Sequence, residues 1–504
     1  PFEIEKKIDR NFADISGHLN FNAELSLILK KGIKIEELDY RVDGRLQNVQ
    51  TSAIVPSRDF AARSLNILVD PNKLQIYGDG TISKIPFSGS WTQPFGKPDL
   101  PSQAVVQLEV SDSSLKNLNI PMPKNALSGK TFGDLTLDIK KGSATTFTLK
   151  SDLLGATVDI PALSWKKESD VPAKFEISGA FSKPMSIDRF KMESKDFLAV
   201  GDMEFDNDGL KVASLDELEV GNWLSSNVDL TRQNPGEPMQ IKLSGGTLDL
   251  RNLPLSKSSG TTAPLVADLD NLRISDDLAL NEVSAKFLGG DSFQGKFSGK
   301  VNNGTFILGT VAGRGESLRL DLSSEDAGGV LRDAGLLRQA NGGNLQLLLT
   351  PGASGWNADM QISDVRIEDA PQIAQLLSAV SVVGLLDQLD GKGIFFNSIE
   401  SKFNIKDEIF TVYSSSAVGP SLGLSLDGFI NSQRKVIDLQ GVLSPFYLVN
   451  GIGAFLTRQG EGLIGFNFNL KGETTQPNVT VNPLSAFTPG MFREIFRRPA
   501  PEQN

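Results

Sequence analysis

Apolar and polar residues alternate one by one along most of this chain. In IGFNFNLKG, residues 464–472, Ile464, Phe466, Phe468 and Leu470 fall on one side of an extended backbone. Gly465, Asn467, Asn469 and Lys471 fall on the other. The same period of two runs through Val106-Leu108-Val110, Leu135-Leu137-Ile139, Phe147-Leu149, Ala156-Val158-Ile160 and Phe175-Ile177. It continues through Leu318-Leu320-Leu322, Leu345-Leu347-Leu349, Leu422-Leu424-Leu426 and Val479-Val481. Turn signals separate the runs: YGDG (77–80), IKKG (139–142), DNDG (206–209), VNNG (301–304) and NGG (341–343). A strand about every 8–12 residues is the pattern of an antiparallel meander.

Helical spacing is confined to three segments. DAGGVLRDAGLLRQA (326–340) starts on an Asp cap, places Val330, Leu331, Ala334 and Leu337 on one face, and stops at Asn341-Gly342. EDAPQIAQLLSAVSVVGLLDQLDGKG (368–393) has Asp369 as cap and Pro371 in its first turn, predicting a helix over 369–390. Its uncharged part, Ala370 to Leu386, is too short at about 1.5 Å per residue for a bilayer core, which points to a helix buried against a sheet. PLSAFTPGMFREIFRR (483–498) predicts a basic amphipathic helix, with Phe487, Met491, Phe492, Ile495 and Phe496 beside Arg493, Arg497 and Arg498. Such a helix contacts a membrane or a partner, or else plugs the end of the sheet.

The chain has 504 residues, and its 39% hydrophobic and 22% charged content is that of a folded protein. With 48 glycines and 25 prolines it suits strands and turns better than helices. A net charge of −11 argues against nucleic acid as a partner and against general attraction to anionic membrane. There is no cysteine and His18 is the only histidine, which removes disulfides, thiol nucleophiles and cysteine–histidine zinc sites. The first residues, PFEIEKK, hold neither a signal core nor a span, and the strand register is already under way. A segment of a longer chain is the expectation.

Motifs that resemble catalytic or binding loops lack their second half. GPSLG (419–423) fits the hydrolase elbow, yet no histidine follows Ser421 and the flanks alternate like a hairpin. GDSFQGK (290–296) has phosphate-loop spacing, but Phe297 stands where a Ser or Thr is needed and a strand follows. Asp202, Glu204, Asp206 and Asp208 suggest a calcium loop, yet Leu215 occupies the position of the bidentate Glu. No catalytic residue, metal site or cofactor is expected, and the protein reads as a non-enzyme.

The alternating faces leave two architectures open. Pairs of sheets can pack face to face about 10 Å apart as sandwiches, making a structural or assembly module that binds an envelope partner. Alternatively one long twisted sheet curls into a trough whose apolar side stays open. At about twelve residues per strand and turn, some 35–40 strands would stack to on the order of 170–190 Å. Open sheets beyond about ten strands curl or split.

Three stretches carry a family likeness. LQIYGDGTISKIPFSGSW (74–91) resembles the strand-turn-strand-Trp unit of the AsmA-like superfamily of Gram-negative envelope proteins. LRLDLSSEDAGGVLRDAGLLRQANGGNLQLLL (318–349) resembles a segment near the C-terminal end of its YhdP-like branch. IGFNFNLKGETTQPNVTVNPLSAFTPGMFREIF (464–496) is similar to the closing strands and tail of alphaproteobacterial members.

The resemblance implies a mainly β fold: a long twisted antiparallel sheet curled into an elongated groove, with a few helices near the C-terminal end. It implies a repeated groove over 1–317, a C-terminal groove segment with the helices over 318–482, and a basic helix and tail over 483–504. It further implies periplasmic localisation, an inner-membrane anchor N-terminal to this chain, and passage of phospholipids between inner and outer membranes. On that reading Leu135, Leu137, Ile139, Phe147, Leu149, Val158, Ile160, Leu345, Leu347, Leu349, Ile464, Phe466, Phe468 and Leu470 contact lipid. Phe487, Met491, Phe492, Arg493, Ile495, Phe496, Arg497 and Arg498 then meet a membrane or an envelope protein.

Overall fold

The computed structural model describes residues 16–501 except 29, 31–37, 56–57, 96–99, 118–124, 141, 183, 254–261, 370, 380–392, 446, 448–457 and 489–496. The chain is mainly β, and its contacts divide it into two units. Unit 1 comprises Pro1–Ile241 with Asn252–Ser258, and unit 2 comprises Lys242–Arg251 with Ser259–Asn504. The division expected at residue 317 instead falls between strands bonded in one ladder, where Thr310 faces Asp321.

Unit 1 holds β1 (Ser16–Ser26), β2 (Asp39–Val55), β3 (Arg58–Val69), β4 (Lys73–Ile82), β5 (Ile85–Pro94), β6 (Ser102–Ser111), β7 (Leu127–Ile139) and β8 (Thr146–Ser151). It continues with β9 (Ala156–Ile160), β10 (Trp165–Lys167), β11 (Lys174–Ala180), β12 (Ser186–Ser194), β13 (Phe197–Asp206), β14 (Gly209–Val220) and β15 (Leu224–Thr231). A short helix, α1 (Asp112–Asn117), follows β6. Each strand from β1 to β8 pairs antiparallel with the next, β8 pairs with β11, and the meander resumes to β15.

The β9–β10 hairpin leaves this ladder and pairs with the first residues of β7 as a small second sheet. Lys167 is buried there, and its ammonium donates to the carbonyls of Ala156 (2.7 Å), Glu168 (3.0 Å) and Val171 (2.7 Å). Burial pushes its pKa down, while the three acceptors satisfy the cation.

β16 (Gln240–Asp249) lies at the division. Unit 2 then holds β17 (Leu265–Arg273), β18 (Ala279–Leu288), β19 (Phe293–Val301), β20 (Phe306–Gly313), β21 (Arg319–Ser324), β22 (Ala340–Asn341) and β23 (Asn344–Pro351). The rest are β24 (Trp356–Ile367), β25 (Ile394–Lys406), β26 (Ile409–Val418), β27 (Leu422–Asn431), β28 (Val436–Pro445), β29 (Phe466–Glu473) and β30 (Asn478–Asn482). The meander runs antiparallel throughout, with β21 pairing to β23 around an inserted helix. That helix, α2 (Ala327–Asp333), is capped by Asp326, whose carboxylate accepts from the Gly329 amide at 2.8 Å. α3 (Pro371–Ala379) connects β24 towards β25.

Two-residue turns account for the tight hairpins. Ser83 and Lys84 between β4 and β5, and Asp407 and Glu408 between β25 and β26, all have positive φ, as the twist of paired strands requires. YGDG is therefore not a turn: residues 77–80 run through β4, with Gly78 opposite Gly89. DNDG, VNNG and NGG do mark strand ends.

The helices are shorter than their periodicity suggests. α2 ends at Asp333, because Gly335 turns left-handed (φ 71°) and Ala340 and Asn341 return to pair with β24. For the helix expected over 369–390, residues 380–390 lie outside the described residues. The expected helix 483–498 begins as a single 3-10 turn, Pro483–Phe487, capped by the Asn482 side chain, and 489–496 lie outside the described residues.

Unit 2 has the larger core. Leu376 and Leu377 of α3, with Ala327 and Leu331 of α2, pack into a cluster with Leu345, Ile362, Leu439, Leu443, Phe468 and Leu470. Among the described residues no helix is long and apolar enough to cross a membrane.

Candidate functional site

Residues directly opposite in an antiparallel pair share a face, so register alone shows which side chains line up across a sheet. In unit 1 one such row crosses thirteen strands, β1 to β8 and β11 to β15. It reads Leu19, Leu46, Leu65, Gly78, Gly89, Val106, Leu135, Leu149, Ile177, Phe190, Gly201, Leu215, Val228. None of these side chains carries a charge or a hydrogen-bonding group. Twelve spacings of about 4.8 Å make a lane on the order of 58 Å along the ladder.

Unit 2 repeats the arrangement over thirteen of its strands, β22 being bypassed. The row is Leu265, Phe287, Gly295, Val311, Leu320, Leu349, Ala358, Phe403, Val412, Gly428, Leu439, Leu470, Val479. A parallel row through Phe297, Gly309, Leu322, Leu347 and Met360 continues to Ser401 and Ser415, where two hydroxyls interrupt it.

The lanes are only partly covered. Leu46, Val106, Leu135, Leu149, Ile177, Phe190 and Leu215 are half-buried, and Leu19 is 49% exposed. Inner faces of a sandwich interdigitate and bury such residues fully. Among the described residues the thirteen strands of each row form one ladder, and its apolar lane is only half-buried over most of its length, with Leu65 and Val228 buried in unit 1. In unit 2 the lane is half-buried from Leu265 to Leu349, and Leu439 and Leu470 at its far end are buried in the cluster that includes α3.

Most expected contact residues fall on these faces. Leu135 and Leu149 are in the unit 1 lane, and Leu137 pairs with Phe147 in the adjacent row, with Ile139 at its end opposite Ser102. Leu345, Leu347 and Leu349 face one side of β23, and Phe466, Phe468 and Leu470 one side of β29. Three expectations need correction. Val158 and Ile160 belong to the satellite hairpin, where they pair with Lys167 and Trp165. Ile464 precedes β29 and is 55% exposed, so it has no place in the ladder.

The C-terminal basic group divides. Phe487 is 87% exposed, whereas the Arg497 side chain is only 4% exposed and fixed by the protein itself. Its guanidinium meets Asp427 at 2.5 Å and Glu461 at 2.7 Å, both carboxylates being buried. Arg498 forms a fork with Asp438, and the Gln440 side chain bonds both its amide and its carbonyl, at 3.0 and 2.8 Å. Arg497 therefore corrects the expectation of membrane or partner contact, since its charge is spent inside unit 2. Met491, Phe492, Arg493, Ile495 and Phe496 lie outside the described residues. Ser421 sits in the turn between β26 and β27, and residues 290–296 form the β18–β19 hairpin.

A second ion group has a pH signature. Arg251 grips Asp249 at 2.5 Å and also bonds Asp276. The Arg251 hydrogen bond holds the Asp249 carboxyl down, from its ordinary 3.8 to about 2. A depressed carboxylate adds stability that is present above the unfolded value and is lost as pH falls through the folded one. The urea midpoint of the intact protein should therefore drop between about pH 4 and pH 2, and Arg251→Gln should flatten that part of the curve. An unchanged slope in the variant would assign the acid sensitivity elsewhere.

Sequence reasoning missed the glycines of the lane and the acidic partners of Arg497. Glycine gives no hydropathy signal, and Asp427 is 70 residues from Arg497. No family model, curated protein or solved structure matches the chain.

Proposed function

We infer that the two apolar lanes hold the acyl chains of phospholipids, and that the protein is a non-enzymatic carrier along which lipid passes between inner and outer membranes. The observation that carries this reading is the unbroken apolar register across thirteen strands in each unit, half-buried over most of its length. Two acyl chains lose on the order of 25 kcal/mol on entering water, at about 0.8 kcal/mol per methylene. A lane without polar interruption lets chains advance strand by strand while that loss is avoided. The likeness of residues 74–91, 318–349 and 464–496 to AsmA-like envelope proteins supports a periplasmic setting, with a membrane anchor on a longer chain. Exposed Phe487 supports a membrane or envelope-protein contact near the C-terminus.

Photocrosslinking tests the reading. Phe468, an obvious choice from sequence, is 2% exposed within the core that includes α3, so the probe belongs at Leu149. In living cells a probe at Leu149 is expected to give phospholipid adducts, and one at Thr148, on the opposite face of β8, is expected to give none. Equal labelling at both positions, or none at either, would rule out the lane as the lipid path.

A further inference from the structure

Four phenylalanines of the apolar faces lie over a glycine of the neighbouring strand. They are Phe87 over Gly80, Phe287 over Gly295, Phe297 over Gly309 and Phe468 over Gly441. A side chain built at each glycine would overlap the ring. At Gly80, Gly295 and Gly441 it would also strike a backbone oxygen, of Ala61, Lys286 and Ser425 respectively, within 2.6 Å. These three are glycines for the backbone's sake.

Gly309 differs. The three atoms nearest its missing Cβ all belong to the Phe297 ring, at 2.2, 2.3 and 2.8 Å. Its φ is not among the positive ones, so alanine suits the backbone, and its methyl group would meet the ring first. Phe297 occupies the row beside Leu322 and Leu347 and is half-buried. A ring laid flat on a glycine adds apolar surface and little height. If lifted by a methyl group, it would stand up from the face.

We propose that Gly309 sets the depth of the apolar face of unit 2: it lets Phe297 lie down, leaving room above the ring for an acyl chain. The inference rests on the lipid reading and names the residue that fixes how much chain the face admits at β19–β20.

The test uses the whole protein with a photocrosslinking residue at Leu322, incubated with vesicles of phosphatidylethanolamine and phosphatidylglycerol. Gly309→Ala is expected to lower the adduct yield about tenfold, the scale of an overpacked contact. The Gly309→Ala, Phe297→Leu double variant should label as well as Phe297→Leu alone, because the obstruction is the ring. A folded Gly309→Ala protein with unchanged yield overturns the proposal. So does a loss that Phe297→Leu fails to restore. Should Gly309→Ala disrupt unit 2, Phe297→Trp keeps the glycine, adds height, and must show the same loss. Absence of adducts in the wild-type protein at both Leu322 and Leu149 would instead remove the lipid reading and this inference with it, an outcome distinct from a variant that matches a labelled wild type.

Discussion

Leu149→Asp is expected to strip unit 1 of bound phospholipid while leaving it folded. Leu149 sits between Leu135 and Ile177 in the lane and is half-buried, so an aspartate there keeps much of its water when the lane is empty. A chain that covers the carboxylate must remove that water without supplying a hydrogen bond. The penalty is about 3 kcal/mol or more, close to a hundredfold in occupancy. Thr148→Asp is the matched control, with the same charge on the same strand pointing to the other face. Leu347→Asp, between Leu322 and Met360, makes the equivalent test in unit 2. Lipid retained by purified protein, with circular dichroism and a urea midpoint to certify folding, decides the matter. Folded Leu149→Asp and Leu347→Asp variants that retain wild-type lipid would show that chains do not travel over these residues.

The pair Leu135 and Leu149 was legible because alternation fixes which side chains share a face before pairing is known. What alternation cannot supply is the partner. Ala156-Val158-Ile160 has the same local pattern as Leu135-Leu137-Ile139, yet its strand bonds to residues 127–129 and 165–167 and leaves the lane. Glycines were misleading for a related reason. Gly78 and Gly80 read as a turn, but they are positions where a cross-strand Leu65 or Phe87 covers the backbone. The helical pattern at 326–340 found the right start, because Asp326 caps it. It overran the end, because Leu337 packs on the same cluster from outside the helix. Burial produces the apolar spacing there, and the helix is only one way to achieve it.

The C-terminal arginines show the opposite limitation. Beside aromatic residues they read as a membrane-facing surface, but the chemistry of Arg497 is set by acids remote in sequence. Asp427 also accepts from the Gln440 amide at 2.8 Å and Glu461 from the Ser425 hydroxyl at 2.7 Å, so each carboxylate has a neutral donor beside the guanidinium. Arg497→Met should therefore destabilise unit 2 by about 3 kcal/mol, since two buried carboxylates lose their main cation and nothing of similar reach replaces it. Arg458, 3.8 Å from Asp427 and 46% exposed, moderates the loss without cancelling it. Adding Asp427→Asn and Glu461→Gln should return much of the stability, because an uncharged, hydrogen-bonded cluster needs no cation. Arg498→Met is expected to cost under about 1 kcal/mol, as its partner Asp438 is 40% exposed and solvated. Urea unfolding of the four proteins measures each step. A midpoint for Arg497→Met equal to wild type would mean that the buried ion group does not hold the tail on the sheet, and a triple variant no better than Arg497→Met would mean that packing, rather than charge, does so.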